Sequence, residues 1–97
     1  MQTIVCRVLV CKVYYGSMIE KVKVNKFREE FGMAVRRRRH RLNLSQEDFA
    51  DKADIHRTYV SSIELGKVDV GIGTAYKVAS ALGLPLNRLV KEAENNI

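Results

Sequence analysis

The fold is decided by residues 44–66, which read LSQEDFADKADIHRTYVSSIELG. Ser45 is placed to cap a helix, and the two acidic residues in the first turn after it suit the positive end of the helix dipole. A turn at residues 54–55 separates this helix from a second one that runs from about His56 to Leu65. Two short helices joined by a turn of about three residues have the spacing of a helix-turn-helix unit.

The helical pattern continues on both sides of this unit. Apolar residues at three- and four-residue steps predict a first helix from about Asn25 to Arg41. After the unit, Thr74 is predicted to cap a fourth helix, and Pro85 precedes a fifth helix from about Leu86 to Glu94. The sequence therefore predicts an all-α domain of five helices over residues 24–97.

Residues 1–17 differ in composition from this domain, and the segment that precedes the domain is residues 1–23. The segment is rich in β-branched residues, and Arg7 and Lys12 interrupt its apolar stretch, which argues against a signal peptide. Two interpretations stay open: an extended arm, either strand-like or disordered, or residues that precede a start at Met18.

The outer side of the third helix of the domain, from about His56 to Leu65, predicts nucleic-acid recognition. Arg57, Thr58, Ser61 and Ser62 offer short or forked hydrogen-bonding groups without a carboxylate among them, as contacts with base edges require. Residues 36–41 contain five arginines, more than helix capping needs, and we expect some of them to contact phosphates. Seventeen lysines and arginines against eleven acidic residues give a net charge of +6, which favours a polyanionic partner.

Residues 27–90 resemble the Xre/Cro type of phage-repressor helix-turn-helix domain, the lambda-repressor-like fold. The matching stretches are LSQEDFA at 44–50, HRTYVSSIELG at 56–66 and ASALGL at 79–84. Within this family, RTYVSSIE is similar to the controller proteins of restriction–modification systems, which are small dimeric regulators of their own operon. The sequence departs from them at Val68-Asp69, where controller proteins usually carry Arg-Asn.

This resemblance implies a role for each matching residue. Double-stranded DNA is the implied partner, read at its bases by Arg57, Thr58, Ser61 and Ser62. We expect the phosphates to be contacted by Gln46, Tyr59, Lys67, Arg36 and Arg37. Arg39 and Glu64 match a buried ion pair that orients the recognition helix.

The last helix carries more apolar residues than a small core needs. Leu86, Leu89 and Val90 are predicted to form the contact of a homodimer, with Val70 or Ile72 nearby, and burial in the core of one chain is the alternative. A dimer would place two recognition helices about 34 Å apart, on half-sites one helical turn apart in a palindromic operator.

Several function classes are disfavoured by the same sequence. Cys6 and Cys11 lack metal-ligand spacing, and no apolar run is long enough to span a bilayer. Ser61, His56 and Asp54 crowd onto one turn and one short helix, without the cleft that an enzyme needs. We therefore predict a cytoplasmic DNA-binding regulator of transcription without cofactor, metal, membrane or small-molecule substrate. An antitoxin-like protein-interaction module is the alternative.

Overall fold

A computed structural model describes residues 2–97, with side chains from residue 21 onward. The described chain contains five helices and no strand, as the sequence predicts. Their bounds are α1 (Gln2–Arg41), α2 (Gln46–Ala53), α3 (Arg57–Glu64), α4 (Ile72–Ala81) and α5 (Leu86–Glu94).

The first helix differs from the prediction. It begins at Gln2, so the backbone that was expected to form an extended or strand-like arm is helical, and α1 passes the predicted boundary at residues 23–24 without interruption. β-branched residues favour a strand only where a neighbouring strand packs beside them. Extending an existing helix instead adds one hydrogen bond for each residue that is fixed. The side chains of Cys6 and Cys11, whose spacing argues against a metal site, lie outside the residues whose side chains are described.

Most helix ends follow local signals that the sequence contains. Ser45 Oγ accepts a hydrogen bond from the Asp48 backbone N–H at 3.0 Å, and this cap begins α2. Asn43 and Asp54 both adopt the left-handed conformation, with φ of 57°, at the turns that follow α1 and α2. The prediction for α4 is wrong, because Gly71 rather than Thr74 is its N-cap residue and Thr74 lies inside the helix.

The core lies between the carboxy-terminal part of α1 and the four shorter helices. α1 packs against α3 and α5, α2 packs against α3 and α4, and α4 packs against α5. The largest side chains in the core are fully buried: Phe49, Ile63, Leu89, Val35, Val60 and Val78. The prediction that Leu89 forms a dimer contact is wrong, because its side chain is 0% exposed within its own chain. Leu89 belongs to the core of one chain, which was the alternative prediction.

A glycine sets the distance between α1 and the end of α3. A Cβ atom on Gly32 would overlap the backbone carbonyl oxygen of Ile63 and would lie 2.7 Å from that of Glu64. A Cβ atom on Gly66, which follows α3 with φ of 70°, would lie 2.9 Å from the Glu29 Cα of α1. The two helices therefore meet backbone to backbone, with no room for a side chain at residue 32.

Charged side chains join α1 to α5. Arg38 Nε donates to Glu92 Oε2 at 3.0 Å, and Arg37 Nη2 lies 3.4 Å from Glu92 Oε1. Burial raises the pKa of Glu92, but the hydrogen bonds and positive charges of Arg38 and Arg37 outweigh it, so the net pKa lies below its usual value of 4.5. Arg38 lies on the apolar stripe of α1, and its ion pair with Glu92 offsets the cost of placing a charged side chain there.

Candidate nucleic-acid interface

Local backbone geometry fixes the angle between α2 and α3. Asp54 turns the chain in the left-handed conformation, and the Ile55 N–H donates to the Ala50 carbonyl at 3.0 Å. This is the hydrogen bond that closes a Schellman-type helix end. His56 then caps α3, because its Nδ1 accepts a hydrogen bond from the Thr58 backbone N–H at 3.3 Å. The turn between the two helices is as short as the sequence predicts.

The two sides of α3 differ in burial. Val60, Ile63 and Glu64 face the core, and each of them is buried. On the opposite side, Arg57 and Thr58 are exposed, and Ser61 and Ser62 are half-buried. Positions 57, 58, 61 and 62 share one face of a helix because the steps between them match its period of 3.6 residues. The structure thus brings the four predicted base-reading residues together on one open surface.

A buried ion pair holds this surface in place. Arg39 Nε donates to Glu64 Oε2 at 2.7 Å, and Arg39 Nη2 donates to Glu64 Oε1 at 3.0 Å. Both residues are 7% exposed. Arg39 Nη1 also donates to the Leu44 carbonyl at 2.7 Å, just before α2 begins. One guanidinium therefore connects α1, the start of α2 and the end of α3, so the recognition helix cannot rotate independently.

Gln46 belongs to the same network. Its Nε2 donates to Glu64 Oε1 at 3.1 Å, an interaction that the sequence does not predict. The side chain is half-buried at the first position of α2. Since an amide nitrogen has two N–H donors, one of them remains for a phosphate after the bond to Glu64 is made. No sequence signal links positions 46 and 64, because the contact depends on how α2 crosses α3.

The other residues that were predicted to contact phosphates differ from one another in exposure and in the partners they already have. Lys67 is exposed directly after the turn at Gly66, and Tyr59 is half-buried against the core. In the arginine cluster, Arg36 is exposed. Arg37 instead pairs with Glu92 of α5, and this ion pair competes with the phosphate contact predicted for it.

The departure at Val68-Asp69 has a structural counterpart. Asp69 Oδ1 accepts a hydrogen bond from Arg28 Nη1 at 2.9 Å, and Arg28 also bonds the side chain of Asn25. The acidic residue therefore ties the loop after α3 to α1. Val68 packs against the core.

An apolar cavity of about 290 Å³ opens beside this loop. Leu86 and Val90 are half-buried and line it together with Ile72, which is 83% exposed. Tyr76 lies one turn after Ile72 on α4 and is 65% exposed. Ile72 begins α4 one residue after its cap, where few neighbours surround it.

Among the residues whose side chains are described, no helix combines the length and the apolar character that crossing a bilayer needs.

The helix-turn-helix family matches residues 35–89, more than half of the chain. Control protein C.MunI from a Mycoplasma species is 38% identical over 72 residues, which cover 73% of this chain and 97% of that protein. Control protein C.BamHI from Bacillus amyloliquefaciens is 43% identical over 61 residues, or 62% of this chain and 75% of that protein.

Solved structures have the same architecture. The restriction–modification controller protein C.AhdI from Aeromonas hydrophila matches with a TM-score of 0.61 and 33% identity, covering 63% of this chain and 92% of that chain. The clp gene regulator ClgR from Corynebacterium glutamicum matches with a TM-score of 0.68 and 26% identity, covering 72% of this chain and 74% of that chain.

Proposed function

The chain belongs to the Xre-like helix-turn-helix family, and we propose that it regulates transcription by binding DNA as a homodimer. Its relatives include the control proteins C.MunI and C.BamHI and the restriction–modification controller protein C.AhdI. Its target is a palindromic operator, and the operon it controls is that of a restriction–modification system. We further propose that the protein has no catalytic role, needs no cofactor and acts in the cytoplasm.

One observation carries the proposal: the outer face of α3 is open while its inner face is buried and clamped. Arg57 and Thr58 are exposed, and the Arg39–Glu64 pair holds the helix from behind. The major groove of B-DNA, about 12 Å wide, admits an α-helix presented in this way. A rigidly held face also lets base contacts form without the cost of ordering the helix at the moment of binding.

The residues on this surface divide into two roles. Arg57, Thr58, Ser61 and Ser62 read base edges, and an arginine reads guanine with two parallel hydrogen bonds. Gln46 and Lys67 contact phosphates and set the register of the protein on the duplex. Arg36 is a stronger candidate for a phosphate contact than Arg37, because Arg37, unlike Arg36, is engaged with Glu92.

The homodimer contact is assigned to the apolar face around the cavity. Leu86 and Val90 keep their predicted role, Ile72 joins them, and Leu89 is removed because it is buried in its own core. A two-fold axis through this face makes the contact isologous, with the same residues on both protomers. The two copies of α3 then read half-sites about 34 Å apart.

A gel-shift titration with the DNA upstream of the protein's own gene, at two salt concentrations, tests the proposal. We expect specific binding that weakens with salt, and Arg57→Ala should cost about 1–3 kcal/mol on the preferred site and relax its specificity. Equal losses on all sequences would make Arg57 a phosphate contact instead. Absence of specific binding would leave the antitoxin-like, protein-interaction role.

Comparing two neighbouring arginines tests the phosphate contacts. Each contact contributes about 0.9 to the slope of log affinity against log salt concentration, so Arg36→Ala should reduce that slope by about this amount. Arg37→Ala is the matched control and should change the slope less, because its guanidinium is held by Glu92. The reverse order would contradict the division of the cluster.

A further inference from the structure

The backbone N–H and the hydroxyl of Thr58, at the start of the recognition helix, both lie within hydrogen-bond distance of His56 Nδ1. His56 Nδ1 accepts from the Thr58 backbone N–H at 3.3 Å and lies 2.8 Å from Thr58 Oγ1. A ring nitrogen that accepts an N–H bond carries no proton, so the imidazole is neutral and its hydrogen is on Nε2. Two acceptors cannot bond each other, so the Thr58 hydroxyl must donate its hydrogen to His56.

This arrangement restricts what Thr58 offers to a ligand. Its only hydrogen is committed to His56, and the oxygen keeps two lone pairs that can accept from other partners. Thr58 is exposed, so a ligand can reach this oxygen. In the major groove, adenine N6 and cytosine N4 are donors, whereas guanine O6 and N7 and thymine O4 are acceptors. An outward-facing lone pair can bond the first group and repels the second.

We propose that His56 determines the base read by Thr58, restricting it to adenine or cytosine while the imidazole is neutral. The inference rests on the proposed function, in which Thr58 contacts a base edge. His56 acts through Thr58 and is thus a positioning residue with an effect on specificity. A free threonine hydroxyl, by contrast, rotates to donate or to accept and tolerates either kind of base.

The same geometry makes the preference depend on pH. Imidazole side chains gain their second proton as the pH falls from about 8 to about 5. A proton on Nδ1 turns that nitrogen into a donor, so Thr58 Oγ1 accepts from it and its own hydrogen turns outward. Thr58 then donates, and guanine and thymine become the bases it can bond.

Charged groups of both signs lie near His56. Glu47 and Asp51 of α2 and Arg57 of α3 line the same groove as the imidazole. Asp54, two residues earlier in the turn, lies 3.9 Å from Lys77 Nζ of α4. Protonation removes the acceptor of the Thr58 N–H as well, but that group is exposed and water can replace the acceptor.

Selection of binding sites from a library of randomised DNA duplexes tests the inference. The base pair read by Thr58 is the one whose preference disappears in Thr58→Val, which removes the hydroxyl and keeps the shape. At pH 7.5 we expect adenine or cytosine to be favoured there by about three- to tenfold, the value of one hydrogen bond. At pH 5.5 the preference should vanish or reverse towards guanine or thymine.

His56→Asn is the matched control. Asparagine at an N-cap position accepts the same hydrogen bonds through its amide oxygen and does not titrate in this range. It should keep the preference for adenine or cytosine at both pH values. His56→Ala leaves the Thr58 hydroxyl free to rotate, and the preference at this base pair should be lost at both pH values.

The outcomes separate the inference from the proposed function. If Thr58→Val changes no base preference, or if wild-type protein at pH 7.5 favours guanine or thymine at that base pair, the inference is overturned while DNA binding stands. A pH dependence that persists in His56→Asn overturns it too. Failure of the wild-type protein to select any sequence would overturn the proposed function itself.

Discussion

Replacing Gly32 with alanine should destabilise the domain, although alanine is the better helix former. A new Cβ would overlap the Ile63 carbonyl oxygen and lie 2.7 Å from that of Glu64 and 2.9 Å from its carbonyl carbon. All three are backbone atoms at the end of α3, so no side-chain rotation can relieve the overlap. α1 must move away from α3, at the point where the Arg39–Glu64 pair joins the two helices.

Two opposing effects set the magnitude. Alanine in place of glycine inside a helix gains about 1 kcal/mol through backbone entropy. Overfilling a packed site costs about 1–3 kcal/mol and occasionally more, and the rigid backbone contacts of Gly32 place it at the upper end. We therefore expect a net loss of about 2 kcal/mol in the free energy of unfolding.

Urea denaturation measures this loss, and Gly73→Ala is the matched control. Gly73 also lies inside a helix, α4, but a Cβ atom there would meet nothing within 4 Å. The control should be neutral or stabilised by up to about 1 kcal/mol, since only the helix-propensity gain applies. If Gly32→Ala were as stable as Gly73→Ala, the close backbone contact between α1 and α3 would be refuted.

Three further predictions concern charged and apolar contacts. Glu64→Gln should cost about 3–5 kcal/mol in urea denaturation, because it leaves a buried guanidinium without its carboxylate; a loss below about 1 kcal/mol would argue against the buried pair. Glu92→Gln should cost about 1–2 kcal/mol at pH 7. Because folding lowers the Glu92 pKa, the difference in unfolding free energy between this variant and the wild type should shrink as the pH falls below 4.5. Glu94→Gln, at an exposed residue of the same helix, is the control, and any effect it has should not shrink in this way. Ile72→Glu should shift the protein towards monomer in sedimentation equilibrium, whereas Met33→Glu, on another exposed apolar residue, should not; equal dimerisation of both variants would exclude the cavity face as the dimer contact.

The pH dependence of the Glu92 contact follows from the sign of its pKa shift. A carboxylate whose pKa is lowered by folding stabilises the native state at pH values above its unfolded pKa. This contribution is lost as the pH falls through the lower, folded value. Arg37 and Arg38 thus act as supports between α1 and α5 at neutral pH, and acid weakens that support.

Much of the DNA-binding unit was predictable because its signals are local. The Ser45 cap, the left-handed Asp54 and the His56 cap each depend on residues within five positions along the chain. The pattern of buried and exposed positions on α3 is likewise a property of a short segment. The family resemblance added the Arg39–Glu64 pair, which joins positions 25 residues apart and which periodicity alone does not reveal.

The sequence by itself thus determined the helix-turn-helix unit, its caps and the polar outer face of α3, because each depends on neighbours within about one helical turn. Only the tertiary structure decided that Gly32 is a contact point, that Arg37 and Arg38 bind Glu92 more than 50 residues away, and that Leu89 lies in the core while Ile72 is exposed. These contacts depend on how the helices cross in the folded domain. The sequence around an apolar or charged residue does not indicate which partner that crossing brings to it.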